Sequence, residues 1–195
     1  MKKTVAIALC VVMLALLLAG CGGNSGKSWT GKHDVEITVA NYGTFTVEVN
    51  ADAAPQTASN FLNLAKKGFY NKQTIYRAIP GFGIYGGDPN KNGTGTNGGA
   101  TITGEFTSNG FNNTLSNVRG AIGMARDVNK DSASCRFYIL QSDQTFLDGD
   151  FAVFGYVVTG MDVVDQIAAT AQTIGSDGYI AESNQPVITS AKVVK

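Results

Sequence analysis

The chain has 195 residues, of which 44% are hydrophobic and 15% charged, with 15 basic and 15 acidic side chains. A chain of this size can bury one full hydrophobic core, and this composition excludes a disordered protein. Zero net charge, with Lys and Arg scattered along the sequence, argues against a nucleic-acid partner, because phosphate backbones require clustered basic charge. The single histidine, His33, excludes a three-histidine zinc site.

The start of the chain is typical of an export signal. Lys2 and Lys3 precede an uncharged, mostly apolar run over residues 4–20, as in secretory signal peptides. The alternative is a transmembrane helix, but a span needs about 20 apolar residues and this run stops in Gly-Cys-Gly-Gly. The tetrapeptide ending at Cys21, Leu-Ala-Gly-Cys, resembles the lipobox of bacterial lipoproteins. That resemblance implies that residues 1–20 are removed and that Cys21 is lipidated, which anchors the protein to the bacterial cell membrane outside the cytoplasm.

The remainder divides into a tether and one domain. Residues 21–33 are predicted to form the lipidated cysteine and a flexible tether, because the segment after Cys21 is rich in Gly, Ser, Asn and Lys. Residues 34–195 are predicted to form the domain. With Cys10 removed and Cys21 lipidated, Cys135 has no disulfide partner, and we interpret it as a small buried strand residue rather than a nucleophile.

The pattern of apolar residues predicts a mainly β domain. Alternation over 35–39 and 45–49 predicts an antiparallel hairpin, and apolar residues at helical spacing predict a helix from Pro55 to the stop at Gly68. A second short helix fits 161–168. Further strand-like runs lie at 74–79, 82–85, 121–125, 135–140, 151–158 and 187–194. Many short strands, two helices and abundant glycine predict a closed antiparallel β-barrel capped by two α-helices.

Two local motifs are rejected on their context. Residues 93–98 match the letters of the dinucleotide-binding fingerprint, but the following segment is not helical, and that motif needs a helix N-terminus. Residues 127–131 resemble the opening of a calcium loop. Such a loop needs glycine at its sixth position and glutamate at its twelfth, where this chain has Ser132 and Tyr138.

Arg77 is the first residue that points to chemistry. It lies in an apolar strand pattern with Ile75 and Ile79 on its face, and arginine is seldom placed among apolar residues without a partner. The residues alone leave open an inward-leaning ion pair or a charge on an edge strand.

A series of short segments, found in a fixed order along the domain, decides how we interpret Arg77. They include Phe-Leu-Asn-Leu-Ala-Lys-Lys-Gly-Phe-Tyr at 61–70, Tyr-Arg-Ala-Ile-Pro-Gly-Phe at 76–82, Gly-Gly-Asp at 86–88, Met-Ala-Arg at 124–126, Phe-Tyr-Ile at 137–139, Leu-Asp-Gly at 147–149 and Val-Phe-Gly at 153–155. Together they resemble the cyclophilin family of peptidyl-prolyl isomerases over about residues 35–194, and the resemblance implies the cyclophilin-like barrel.

The resemblance also implies a site. In cyclophilins, an arginine at the position of Arg77 favours the pyramidal imide nitrogen of the twisted X-Pro bond, so Arg77 is the expected catalytic residue. The implied substrate-binding residues are Phe82, Met124, Tyr138 and Leu147 as the proline seat, Phe146 and Phe151 at its rim, Ala125 and Arg126 along the substrate path, and Tyr85 and Arg136 beside them. The resemblance implies neither a metal nor a cofactor, and it implies proline-containing polypeptides as partners of a monomer.

This chain departs from the family at several of these positions. Tyr85 and Arg136 stand where cyclophilins usually have glutamines that position the arginine or hold substrate backbone. Gly83 stands in place of a methionine, and Phe146 and Phe151 replace a tryptophan and a histidine or tyrosine. Arg136 either replaces a lost donor or repels the catalytic arginine, since like charges in a partly buried site disfavour each other.

The sequence is therefore compatible with three functions. The first is an isomerase acting on X-Pro bonds of exported polypeptides, which assists their folding outside the cytoplasm. The second is a proline-segment binding or chaperone module on the same fold, with little or no turnover. The third, the solute-binding component of a transporter, shares the lipid anchor but is disfavoured by the single short domain.

Overall fold

The computed structural model describes residues 26–195, so the predicted signal peptide and Cys21 lie outside the described residues. The strands are β1 Lys32–Val39, β2 Gly43–Asn50, β3 Ile75–Ile79, β4 Gly83–Gly86, β5 Ala121–Met124, β6 Phe137–Leu140, β7 Val153–Thr159, β8 Thr173–Ile174, β9 Tyr179–Ile180 and β10 Ile188–Val193. The helices are α1 Pro55–Lys66 and α2 Met161–Thr170, with short 3₁₀ turns at Thr107–Asn109, Thr145–Leu147 and Glu182–Asn184.

All ten strands form one antiparallel sheet in the order β10-β1-β2-β7-β5-β6-β4-β3-β9-β8. The start of β3 returns to the start of β10 through a single bridge between Thr74 and Val187. Backbone bonds at 2.8–2.9 Å flank that bridge, from Ile75 N to Pro186 O and from Ile188 N to Gln73 O. The expected mainly β fold with two helices is confirmed. The closed barrel expected from the sequence is not shown, because this one bridge stands in place of a continuous ladder between β3 and β10.

The main core lies inside the curved sheet under α1. Four aromatic rings at its centre have centroids 5.0–5.7 Å apart and belong to Phe61, Tyr70, Phe137 and Phe154. They pack with alternating residues of β1 and β2, which are essentially inaccessible to solvent. The same alternation sends Thr and Glu outward, as expected for strands with one buried face.

Helix α1 is capped by a residue far away in the sequence. The residue before Pro55 is Ala54, which offers no side-chain acceptor. Instead, the buried carboxylate of Glu105 accepts from Gln56 N at 2.9 Å and from Thr57 N at 2.8 Å. These bonds satisfy two of the free N–H groups at the helix start and place a negative charge at the positive end of the helix dipole. The loop that carries Glu105 is thereby fixed to the helix.

The predicted tether ends earlier than expected. Trp29 is only 8% exposed, and its indole N–H donates to Asn63 Oδ1 at 3.0 Å while its backbone N–H donates to Ser59 Oγ at 3.0 Å. His33 lies in β1, and its ring packs edge-on against Trp29. The prediction of a flexible tether up to residue 33 is therefore wrong from Trp29 onward, because the indole finds apolar contact and a hydrogen-bond partner on α1.

Between residues 26 and 195, none of the helices is both long and apolar enough to cross a membrane.

Candidate functional site

The candidate site is built around Arg77 on β3 and Tyr85 on β4. The two residues are direct cross-strand partners, and the guanidinium carbon of Arg77 lies 5.0 Å from the centre of the Tyr85 ring. A guanidinium at this distance from an aromatic face is attracted by the ring quadrupole. Burial raises the pKa of the Tyr85 phenol, and the Arg77 charge partly offsets that rise, so Tyr85 is neutral at physiological pH. The ring therefore supports the cation without neutralising it.

A second ring and a backbone carbonyl complete the setting of Arg77. The ring centre of Tyr179 lies 5.3 Å from the guanidinium carbon, and Arg77 Nε donates to Asp177 O at 2.6 Å. Both partners come from the β8–β9 hairpin, which the sequence analysis missed because two-residue strands give no usable periodicity. Gly175 and Gly178 are the sequence feature that indicates a tight turn here, and both adopt positive φ in the structure.

Aromatic side chains continue from Tyr85 across the sheet. Tyr85 stacks with Phe82 at 6.3 Å and an interplanar angle of 6°, and it lies 6.0 Å from Tyr138. Tyr138 in turn meets Phe151 edge-on at 6.1 Å. These residues belong to a second apolar cluster, distinct from the main core, in which Phe82, Tyr85 and Phe151 are only partly buried. The cluster is a partly exposed apolar surface beside Arg77.

Tyr138 is held rigidly at the base of this surface. Its hydroxyl donates to Asn117 Oδ1 at 2.6 Å, and the Asn117 amide donates to Asp148 Oδ1 at 2.9 Å. Burial holds the pKa of Tyr138 well above its usual value, so the phenol remains a neutral donor. A Cβ at Gly123 would overlap the Tyr138 ring, and only glycine leaves room for the ring there.

Arg126 closes the far end of the aromatic surface. Its guanidinium carbon lies 4.6 Å from the Phe151 ring centre and 5.2 Å from that of Phe106. Its Nε donates to Asp150 O at 3.0 Å and one terminal amino group donates to Asp127 O at 2.9 Å. The apolar surface is thus bounded by a guanidinium at each end, Arg77 and Arg126.

The remaining predicted residues divide between the surface and the core. Ala125 belongs to the same apolar cluster, while Phe146 and Leu147 lie on the 3₁₀ turn that follows β6, where Phe146 is 71% exposed and Leu147 is half-buried. Met124 is 1% exposed and packs in the main core. We therefore correct its expected place in the proline seat, because the alternation along β5 turns its side chain to the inner face.

The Arg136 guanidinium is bound by residues other than those around Arg77. Its side chain is 6% exposed, and one terminal amino group pairs with Asp127 Oδ1 at 2.7 Å, while the other donates to the carbonyl of Gly93. The pKa of Arg136 is raised: burial opposes the charge, but the hydrogen bond to Asp127 and its negative charge outweigh that penalty. The guanidinium is therefore bound to the loops that carry Gly93 and Asp127.

Gly83 has a direct steric cause. A Cβ added at this position would overlap the carbonyl oxygen of Ile139 on the neighbouring strand. The methionine usual in the family has no room on this backbone, so the apolar surface depends on Phe82 and Tyr85 at this edge.

Comparisons with known proteins point to one family. Residues 34–193 match the family model described as cyclophilin type peptidyl-prolyl cis-trans isomerase/CLD. The chain is 41% identical over 133 residues to a peptidyl-prolyl cis-trans isomerase of Acinetobacter baylyi, covering 66% of this chain and 68% of the relative. It is 37% identical over 165 residues to peptidyl-prolyl cis-trans isomerase A of Dickeya dadantii, covering 82% and 84% respectively. It is 38% identical over 141 residues to peptidyl-prolyl cis-trans isomerase B of Escherichia coli, covering 67% and 82%.

Solved structures show the same fold. A cyclophilin type peptidyl-prolyl cis-trans isomerase of Cryptosporidium parvum superposes with a TM-score of 0.73 at 24% identity, covering 84% of this chain and 98% of that one. The same Cryptosporidium protein, crystallised in the presence of the dipeptide Ala-Pro, gives a TM-score of 0.72 at 25% identity, covering 83% and 99%. With the family model spanning most of the chain, the protein belongs to the cyclophilin-type peptidyl-prolyl cis-trans isomerase family.

Proposed function

We propose that this protein catalyses cis/trans isomerisation of X-Pro bonds in exported polypeptides. It acts as a monomer outside the cytoplasm, held at the bacterial cell membrane by a lipid on Cys21. The observation that carries the proposal is the placement of Arg77, fixed between two tyrosine rings at one edge of a partly exposed apolar surface. Family membership and relatives named as isomerases support the same activity.

Isomerisation of an X-Pro bond needs an apolar seat for the proline ring and a donor near the imide nitrogen. Rotation about an X-Pro bond is slow because amide resonance must be broken, with a barrier of about 18 to 20 kcal/mol. The apolar surface would seat the proline ring, and Arg77 would donate to the imide nitrogen as it becomes pyramidal. Arg77 uses Nε for Asp177 O, and its terminal amino groups have no acceptor within residues 26–195. A contact made only in the twisted state lowers the barrier, by tenfold in rate for about 1.4 kcal/mol.

The loss of both family glutamines favours the alternative of a binding module with weak turnover. Two features of the site answer that objection. Tyr85 supports the Arg77 guanidinium from the position of one glutamine, and Arg136, at the position of the other, is engaged by Asp127 and Gly93. Neither replacement displaces Arg77, so we favour the enzyme.

The proposed cellular setting depends on the sequence before residue 26. The basic start, the apolar run and the Leu-Ala-Gly-Cys tetrapeptide support export and lipidation at Cys21. Membrane fractionation of cells producing the full chain tests this point. The full chain is expected in the membrane fraction and its Cys21→Ser variant in the soluble extracytoplasmic fraction. Equal fractionation of the two would contradict lipid anchoring at Cys21.

Exchange NMR on an X-Pro peptide tests the activity. Detergent-solubilised full-length protein is expected to accelerate exchange between the cis and trans peptide signals at substoichiometric concentration. Shift changes in the peptide without faster exchange would show the binding module instead. No shift change and no acceleration would contradict both functions.

A further inference from the structure

The lysines that are scattered along the sequence are not scattered in space. Lys27 and Lys66 place their amines 4.1 and 5.7 Å from the centre of the Trp29 ring. Two surface grooves flank the segment around residues 26–29. Lys67 lines one groove, and Lys192 lines the other together with Trp29. These four exposed lysines around Trp29 are called the lysine face below.

Acidic residues balance the lysine face only in part. None of its four amines forms an ion pair with a residue in the 26–195 range, where the pairs belong to Lys32, Lys91, Arg119 and Arg136. Three acidic residues border the face. Asp34 lies on the outward side of β1 opposite Val194, diagonal to Lys192. Glu36 lies opposite Lys192 in the β1–β10 register, and Asp52 accepts from Gly31 N at 2.8 Å. The four lysines outnumber the acidic residues beside them, so the face keeps a net positive charge.

The rest of the domain is acidic, which makes the molecule electrically polar. From Gly26 onward the sequence holds 13 basic and 15 acidic side chains. Four of the basic ones sit on the lysine face, so the remaining surface carries a clear excess of carboxylates. A molecule polarised in this way is oriented by a negatively charged surface.

The position of the lysine face along the chain indicates which negative surface that is. Cys21 is eight residues before Trp29, a span of about 28 Å at most when fully extended. Trp29 is fixed to α1 through Ser59 and Asn63, so a lipid on Cys21 would hold the lysine face within a short distance of the bilayer. Anionic lipid headgroups attract lysines near the membrane surface.

The same geometry leaves the candidate site accessible. The lysine face involves β10, the segment leading into β1, and α1, whereas the aromatic surface is carried mainly by β4 and β6. In the sheet order, β1 and β6 are separated by β2, β7 and β5. A domain resting on its lysine face therefore turns a different part of the sheet toward polypeptide clients.

We propose that the lysine face is a docking surface for an anionic lipid bilayer, which orients the anchored domain with its isomerase surface away from the membrane. The proposal rests on the proposed anchoring at Cys21 for its geometry, but the electrostatic attraction itself does not require the lipid. Each lysine near an anionic surface contributes about a fivefold change in partitioning, so four lysines suffice to bias the orientation of a protein that is already anchored.

The protein supplies its own reporter for the test. Trp29 is the only tryptophan in the chain and lies at the centre of the lysine face. Full-length protein is reconstituted into phosphatidylcholine vesicles, with or without phosphatidylglycerol, that carry a headgroup spin label. Trp29 fluorescence is expected to be quenched with phosphatidylglycerol at low salt and to recover at high salt, because salt screens exposed charges.

Two double variants distinguish an effect of the lysine face from an effect of the protein's net charge. Lys66→Gln with Lys67→Gln is expected to remove the phosphatidylglycerol-dependent quenching, whereas Lys91→Gln with Lys130→Gln makes the same charge change elsewhere and should retain it. Equal quenching with and without phosphatidylglycerol, or equal loss in both double variants, would overturn the proposal. Flotation with pure phosphatidylcholine vesicles reports the lipid anchor separately, so loss of flotation contradicts anchoring at Cys21 without deciding the docking surface.

Discussion

Arg77 and Tyr85 face each other across the β3–β4 pair, with the guanidinium carbon 5.0 Å from the ring centre. Most of the consequences for activity follow from this contact and its counterpart at Tyr179. Where cyclophilins usually hold their arginine with polar side chains, this chain holds it between aromatic faces.

Tyr179 is expected to act as a positioning residue for Arg77. Tyr179→Leu removes one aromatic face, and at about 1 kcal/mol for a cation–π contact we expect kcat to fall about fivefold with little change in KM. Tyr179→Phe keeps the ring and should restore the parent kcat. A merely structural role would instead lower the melting temperature of both variants, so thermal unfolding is measured alongside. Equal kcat in parent and Tyr179→Leu would contradict the assignment.

Phe82 is expected to contribute to substrate binding rather than to the chemical step. Its half-buried ring lies at the exposed edge of the aromatic surface, so Phe82→Ala removes apolar contact area from the proposed proline seat. We expect about tenfold weaker binding of an X-Pro peptide, which corresponds to about 1.4 kcal/mol. NMR titration measures it. Val128→Ala, at a side chain 97% exposed outside the cluster, is the matched control and should bind as the parent does.

Glu105 is expected to stabilise the fold through α1. Glu105→Gln keeps the shape but removes the charge at the helix start and one of two acceptors, at a cost of about 2 kcal/mol. For a domain of this size, the melting temperature should fall by about 6 °C. Glu182→Gln, which breaks the exposed pair with Lys91, should change it by no more than about 2 °C. Similar shifts in the two variants would refute the capping role.

Cys135 is expected to be unreactive in the folded protein. Burial raises the pKa of its thiol to about 11, from an ordinary value of 9.0, and only the thiolate reacts. Alkylation at pH 8, located by mass spectrometry, should modify Cys135 only after unfolding. The thiol binds its proton more tightly when folded, so its contribution to stability is complete below pH 9 and is lost as pH rises toward 11. Cys135→Ala should therefore lessen the alkaline decline in the free energy of unfolding.

The sequence predicts the regular parts of this molecule well, for physical reasons. The β1–β2 hairpin and α1 carry clean periodicities of two and 3.6 residues, so their existence and approximate bounds follow from the apolar pattern alone. The two-residue strands of the β8–β9 hairpin carry no period. Their partner, Arg77, is 100 residues away from Asp177, and no local pattern encodes that contact.

Side-chain placement was harder to predict than strand placement. The motif match places Met124 in the proline seat, yet its orientation depends on which face of β5 is turned inward, and a strand that is buried on both faces shows no alternation in its sequence. The small polar neighbours of Trp29 predict a flexible segment, and only the surface of α1 shows where an indole can bind. The sequence leaves two roles open for Arg136, because its acceptors lie on two loops that are distant in sequence.

The measurement that tests the account most directly is exchange NMR of an X-Pro peptide with the parent protein, Arg77→Lys and Arg77→Ala. Lysine keeps the charge but lacks the planar fork of donors, so both variants should lose about a hundredfold in catalysed exchange while peptide shift changes show unaltered binding. If either variant accelerates exchange as the parent does, Arg77 is not the catalytic residue and the proposed mechanism is wrong.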